Sequence, residues 1–302
     1  MPKYQKISIT GASGFVGRSL LHYLARSSFL ITVLDFNGAS YPKSVKVVKG
    51  NLLTKEGLDE FLEGCEILIH LAGQVLSGNT RMDKGNVDTT RNLIMEASKH
   101  TVKKIIFSST VAVYGSSNKK LFKESDKCHP DTEYGMSKFK AEKIIEEWGK
   151  KDGNQYTILR FFSLYGSGNK KGVIYELCSD LFNKGIVTVY GDGKQKRDLV
   201  FVEDVAKILS LSIRKNLYGI YNVGTGKSFS ILDIISILEK ISSKKYKIVF
   251  KKQKKDKVKE IFYSVEKIKK EANWLPETTV EEGIKLVYKS LVNSSLSVSH
   301  KN

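Results

Sequence analysis

Short, almost continuously apolar runs rich in β-branched residues recur along the chain. "KISIT" (6–10), "FLITVLD" (29–35), "VKVVKG" (45–50), "EILIHLAG" (66–73), "KKIIFSST" (103–110) and "YTILRFF" (156–162) read as strands. Between them, helical patterns run over Val16 to Ser27, Gly57 to Glu63, Asp88 to Lys99 and Ser137 to Trp148. Strand and helix alternating at this pitch predict right-handed βαβ units, hence an α/β fold with a parallel sheet. The strands lack polar alternation, as expected when both faces of a sheet are covered. After about residue 165 the rhythm changes. "YGSGNKKG" reads as a loop, Val173 to Lys184 as a helix, and "IVTVYG" as a short strand before the turn "GDGK". A helix near 205–214, a strand "GIYNVG", a helix at 231–241, a basic strand "YKIVFKK" and an amphipathic helix at 280–292 complete the pattern. The polar tail "NSSLSVSHKN" reads as frayed. No internal repeat is visible.

Composition narrows the class without changing this picture. A chain of 302 residues with 41% hydrophobic content can bury a large core. No apolar run reaches the ~18 residues of a membrane span. The opening "MPKYQKISIT" turns directly into a strand pattern, not a signal peptide. Cys65, Cys128 and Cys178 are odd in number and scattered, so neither a disulfide framework nor a metal cluster is indicated. A reducing cytoplasm is the expected setting. The net charge of +18 raises the question of nucleic acid. Most of the basic residues are lysine, spread throughout and densest in "KKYKIVFKKQKKDKVK", whereas base and phosphate readers lean on arginine forks. No helix-turn-helix, finger or RNA-binding signature is present, so solvated lysine faces are favoured over nucleic acid.

"ITGASGFVGRSLLHYLA" begins as a strand and ends as a helix, with Gly11, Gly14 and Gly17 at the join. This spacing is a variant of the dinucleotide fingerprint: a tight turn, close backbone approach to a pyrophosphate, and close helix packing. The exposed N–H groups of the helix start, around Ser13, Phe15 and Val16, would receive the phosphates. Asp35 closes the second strand, where a carboxylate accepts hydrogen bonds from ribose hydroxyls and repels a 2′-phosphate. No arginine follows it in "DFNGAS", which favours NAD over NADP.

Ser108, Ser109 and Thr110 cluster at the carboxyl end of the fifth strand, where ligands bind in such sheets. Downstream, "YGMSK" places Tyr134 and Lys138 four residues apart, on one helix face. Alone, such a pair is surface decoration. Beside a dinucleotide loop it is a base and its cation: a neighbouring Lys and a nicotinamide ring favour the phenolate and lower a pKa otherwise near 10. The phenolate could then take a proton from a sugar hydroxyl while hydride leaves the same carbon.

With "GNL" (50–52), "HLAG" (70–73), "NVDTTRNL" (86–93), "SSTVAVYG", "LRFFSLYG", "YGDGKQKRDLVFVEDVA", "YNVGTG" and "NWLP", the chain resembles the extended short-chain dehydrogenase/reductases, in particular the nucleotide-sugar epimerase/dehydratase group with its UDP-glucose 4-epimerase-like members. The resemblance covers about residues 5–290 and implies a Rossmann doubly wound parallel sheet with a smaller mixed α/β C-terminal substrate domain. The implied division is an NAD-binding domain at 1–165 with a return segment at about 198–224, and a substrate-binding domain at 166–197 and 225–302. It implies Thr110 as the catalytic hydroxyl, Tyr134 as acid/base and Lys138 as its partner, holding the nicotinamide ribose. Asn51 and Leu52 would flank the adenine, although the family more often has Asp at the first position. Leu71, Ala72 and Gly73 would line NAD, with Asn86, Ser108 and Phe161 near it. Arg197 would bind the substrate diphosphate, and Ser163, Tyr190 and Lys254 would complete the substrate site. Ser163 stands where Asn is frequent, Lys254 where a second Arg is usual, and Ser264 where Asp is common; a lysine lacks the bidentate fork.

The two residues after Thr110 narrow the reaction. The family's 4,6-dehydratases carry an Asp-Glu pair there; Val111 and Ala112 argue against dehydration and acid-dependent decarboxylation. No Cys stands at Ser109 or Thr110, which argues against the fucose-synthase type. The readings left are an NAD-dependent nucleotide-sugar 4-epimerase, a nucleotide-4-ketosugar reductase or dehydrogenase, and a non-catalytic NAD-binding sensor. The resemblance also implies a homodimer built on a four-helix contact, from the helices near 88–99 and 137–150.

Overall fold

Seven strands make one parallel sheet: β1 (Lys6–Thr10), β2 (Leu30–Asp35), β3 (Val45–Lys49), β4 (Ile67–His70), β5 (Lys104–Thr110), β6 (Gln155–Phe161) and β7 (Gly219–Val223). Their order across the sheet is β7-β6-β5-β4-β1-β2-β3, with every pairing parallel. The structure, a computed structural model, describes residues 5–25, 27–74, 82–116, 121–252 and 262–299. Alternate side chains of one strand enter different cores, as the pleat requires: Ile67 and Ile69 pack on one face, Leu68 on the other. That is why the strands are apolar at every position.

Helices α1 (Phe15–Leu24), α6 (Val202–Arg214) and α8 (Glu266–Ala272) cover the first face. Helices α2 (Leu58–Leu62), α3 (Thr89–Ala97) and α4 (Glu133–Trp148) cover the second. A third core joins α5 (Val173–Lys184), α7 (Ile231–Ser242) and α9 (Val280–Ser299) with a parallel pair of short strands, Ile186–Tyr190 and Lys247–Lys251. The strand order reverses between β1 and β4, and there the sheet opens a crevice at its carboxyl edge. Among the described residues no helix is long and apolar enough to cross a membrane.

Three elements depart from expectation. Helix α4 begins at Glu133, not Ser137, because the Thr132 hydroxyl accepts the Gly135 N–H at 3.0 Å and caps it. Helix α3 is fed by a π-helical turn, Asp83–Asp88, which carries Asn86 inward. The tail expected to fray is helical through Ser299.

Candidate active site

The glycine loop between β1 and α1 is shaped by close approach. Gly11 has φ +70°, and a Cβ on it would lie 2.5 Å from the Ala72 N. A Cβ on Gly17 would strike the Gly11 carbonyl, so α1 can leave the loop only with glycine there. Gly14, by contrast, is exposed, and its N–H donates to the Gly11 carbonyl at 3.0 Å. Phe15 and Val16 form the first turn of α1, and the Ser13 carbonyl accepts from Arg18 Nη1 at 2.6 Å. Asp35 lies at the end of the adjacent strand as expected, but its oxygens are engaged: Oδ1 accepts from the Tyr41 hydroxyl at 2.7 Å and Oδ2 from the Ala39 N–H at 2.9 Å. Burial pushes the Asp35 carboxyl up, and these bonds more than reverse that, holding it below the usual carboxylate value. The Tyr41 phenol, half-buried beside that charge, is pushed up to about 12 by desolvation and by its bond to Asp35. Asn51 is also engaged locally, its Oδ1 accepting the Leu53 N–H at 2.9 Å, and the Leu52 carbonyl accepts from Asn92 at 2.9 Å.

The loop after β4 is held by a directional relay. His70 has no solvent exposure, and burial, then the charge of Lys138, pushes its pKa down to about 3, so the ring is neutral. Its Nδ1 lies 2.7 Å from the Thr10 hydroxyl and its Nε2 2.9 Å from the Thr90 hydroxyl. Thr90 gives its own proton to the Asn86 carbonyl at 2.6 Å, so it accepts from His70 Nε2–H. Nδ1 therefore accepts from Thr10, whose oxygen in turn accepts the Ala72 N–H at 3.3 Å. The Asn86 side chain continues the line. Its Oδ1 accepts the Gln74 N–H at 2.7 Å, and its Nδ2 donates to the Ser137 hydroxyl at 2.8 Å, which donates to the Tyr134 carbonyl at 2.9 Å. Leu71, Ala72 and Gly73 are thereby fixed against the first turn of α4.

Thr110, Tyr134 and Lys138 come together at the end of β5. Residues 108 and 110 point to the crevice side, while Ser109, buried between them, points the opposite way. Gly135 lets α4 approach: a Cβ there would lie 2.5 Å from the Ala112 carbonyl. Burial pushes the Tyr134 phenol up, and the neighbouring Thr110 hydroxyl, which favours the phenolate, only partly offsets it. The lowering expected from Lys138 together with a nicotinamide ring is not produced by the protein's own groups, because burial of the phenol is the largest influence on it. Burial also lowers Lys138 to about 7, only partly offset by Glu142. Its Nζ sits 3.9 Å from the Phe107 ring centroid and 3.6 Å from where a Gly73 Cβ would be.

One turn beyond Lys138, Glu142 makes a fully buried ion pair with Arg160, which donates through Nε at 3.0 Å and Nη2 at 2.7 Å. The Ser109 hydroxyl donates to the same carboxylate at 2.5 Å. Neither Glu142, Arg160, His70, Tyr41 nor Gly135 was identified from the sequence. The i, i+4 step from Lys138 to Glu142 was the one available signal, and it does not reveal burial.

Two cavities meet above this floor. The smaller, about 530 Å³, is lined by Thr110, Phe161, Ser163 and Arg197 among others. The larger, about 790 Å³, shares Ser163 and Arg197 and extends past Tyr190 into the third core's edge. Tyr190 is 57% exposed there. Lys254 lies outside the described residues. The glycine cradle, the buried Asp35 carboxylate and the Leu71–Gly73 loop surround one crevice, and this donor and acceptor set fits a dinucleotide, provided the Tyr41 hydroxyl yields its place on Asp35 to a ribose hydroxyl.

Residues 7–224 match the family model described as "NAD dependent epimerase/dehydratase family". A UDP-glucuronate 4-epimerase of Thermodesulfobacterium geofontis is 27% identical, over 92% of this chain and 93% of that protein. The solved structure of Thermotoga maritima UDP-glucose 4-epimerase with UDP-glucose is 26% identical, with a TM-score of 0.88 over 96% of this chain and 100% of that one. The Bacillus cereus UDP-glucuronic acid 4-epimerase, in complex with UDP-glucuronic acid and NAD, is 25% identical with a TM-score of 0.86, over 96% of this chain and 100% of that one.

Proposed function

This chain belongs to the NAD dependent epimerase/dehydratase family, and from that premise we propose that it is a nucleotide-sugar 4-epimerase. The observation that carries the reading is the nearness of the Tyr134 phenol to the Thr110 hydroxyl, which lines one cavity together with Arg197, with Val111 and Ala112 where an elimination would need acids. Gly11, Gly14 and Gly17 would cradle the NAD pyrophosphate, Asp35 the adenosine ribose, and Lys138 the nicotinamide ribose. Bound NAD supplies a hydride acceptor and a positively charged ring. The protein does the rest. Tyr134 takes the proton from the C4 hydroxyl, and Thr110 holds the same oxygen. Loss of that proton and of the C4 hydride leaves a 4-ketosugar. Return of the hydride to the opposite face of C4, and of the proton from Tyr134 to the oxygen, would give the C4 epimer with no net redox change. Arg197 and Ser163, at the junction of the cavities, would hold the diphosphate while the ketosugar turns. The nucleotide would extend into the larger cavity along Tyr190.

Tyr134→Phe tests this directly. The variant is expected to retain stoichiometric NAD through dialysis and to lose about 10³-fold in turnover, followed as epimer formed from UDP-sugars without added NAD(H). Normal turnover would overturn the catalytic assignment. The Tyr41–Asp35 bond favours a second reading, a 4-ketosugar reductase with exchangeable cofactor, because NAD must displace it. Protein that purifies without NAD and oxidises NADH with a ketosugar would establish that reading instead. We also propose a homodimer through α3 and α4, on which Met95 is 53% and Met136 39% exposed. Light scattering should give twice the 33.9 kDa chain mass; a monomer mass at micromolar concentration refutes it.

A further inference from the structure

Asp35 ends β2, where a dinucleotide presents its adenosine ribose, and a side chain of the protein itself already bonds to it. We infer that Tyr41 is a latch on that carboxylate: its hydroxyl and the vicinal diol of the adenosine ribose compete for Asp35, and this competition sets how tightly NAD is held. The inference rests on the reading of the glycine loop and Asp35 as the NAD site.

The partners of Asp35 are of two kinds. Oδ2 accepts the Ala39 N–H at 2.9 Å, and the N–H groups of Gly38 and Asn37 also favour the ionised form. These groups belong to the turn that follows Asp35 and stay with it. Oδ1 accepts instead from a side chain, the Tyr41 hydroxyl at 2.7 Å. The Ser13 side chain, in the glycine loop, also acts on that hydroxyl. The hydroxyl therefore stands between the carboxylate and the phosphate loop, the place a bound ribose must take. The Tyr41 ring is half-buried and packs against the core on the α1 face of the sheet. A hydroxyl carried on a packed ring has little rotamer freedom left to lose, which makes it an effective competitor.

Ionisation does not open the contact. Burial, and then the bond to Asp35, push the phenol up to about 12, so Tyr41 donates throughout the neutral range. What displaces it is another donor. The 2′- and 3′-hydroxyls of the adenosine ribose offer two, each able to make a charge-assisted bond to the same carboxylate. A 2′-phosphate brings like charge instead, so NADP leaves the latch shut. Because NAD must break one bond to Asp35 to make its own, the ribose adds less to affinity than the same carboxylate would give without Tyr41.

Tyr41→Phe keeps the packed ring and removes only the hydroxyl. In equilibrium dialysis with radiolabelled NAD, the variant is expected to hold NAD on the order of 10-fold more tightly than the parent. The control ligand is NAD lacking both hydroxyls of the adenosine ribose. Parent and variant are expected to bind it alike, because nothing in it competes for Asp35. Equal or weaker NAD binding by Tyr41→Phe overturns the inference and leaves the NAD site standing. So does an equal gain with the control ligand, which would place the effect outside the ribose. A parent that binds no NAD at millimolar concentration overturns the cofactor site and the latch with it. If the tenfold gain holds but no epimer forms, the latch stands and the epimerase reading falls.

Discussion

At the residue scale, Glu142 is the side chain on which the proposed catalytic residues rest without touching substrate. Its carboxylate answers Arg160, 2% exposed, through two hydrogen bonds and takes a third from Ser109, the neighbour of Thr110. Burial works to lower Arg160, but the bonds and charge of Glu142 overcome it and hold the guanidinium firmly protonated. Removing one partner strands the other as a buried charge. Glu142→Gln should therefore cost about 3–5 kcal/mol, read from denaturant midpoints. Pairing it with Arg160→Met should cost less than the sum of the two single changes, because no charge is then left alone. Additive losses would mean that the pair is not a unit. Glu142 also supports the charge on Lys138, so a conservative Glu142→Asp should recover stability while leaving any pH profile of activity displaced to lower pH.

At the element scale, the glycine loop separates two meanings of a positive φ. Gly11 and Gly38 have nearly the same dihedral, +70° and +72°, but a Cβ meets the Ala72 backbone at the first and nothing within 4 Å at the second. Gly38→Ala should cost about 1–2 kcal/mol and leave NAD binding intact. Gly11→Ala should cost more and abolish tight NAD binding, because Ala72 must move and with it the Thr10–His70 relay. If both variants bind NAD equally, the loop is not the phosphate cradle. The strand–loop–helix order here was legible because β1, the glycines and α1 are consecutive in the chain. The π-helical turn at Asp83–Asp88 was not: its inward-facing Asn86 is justified by Gln74 and Ser137, partners from two other elements. Helix α4 starts earlier than its apolar pattern indicates because the Thr132 hydroxyl caps it. Likewise Thr110, Tyr134 and Lys138 were readable as a spacing, whereas Tyr41 on Asp35 depends on how a loop without periodicity folds back.

At the scale of the whole molecule, two buried bases make stability depend on pH in one direction. His70 titrates near 6.5 when unfolded but near 3 in the folded protein, so between those values the unfolded chain binds the extra proton. Stability from this group rises by about 1.4 kcal/mol per pH unit across that window and falls on acidification. Lys138, brought from 10.5 to about 7, repeats the same sign in the alkaline window. Asp35, held below 3.8, adds stability that is present above its unfolded pKa and lost as pH falls through the folded one. A net charge of +18 grows further as carboxylates protonate, and its repulsion also favours unfolding in acid. Denaturant midpoints should therefore climb from pH 4 to 6.5. Salt separates the contributions: it screens surface repulsion, with a Debye length of about 3 Å at 1 M, but leaves the cost of charging a fully buried imidazole. In high salt the climb should persist in the parent and flatten in His70→Gln, whose amide can keep one hydroxyl partner without titrating. A climb that vanishes with salt in the parent would assign the effect to net charge and leave His70 without a role in it.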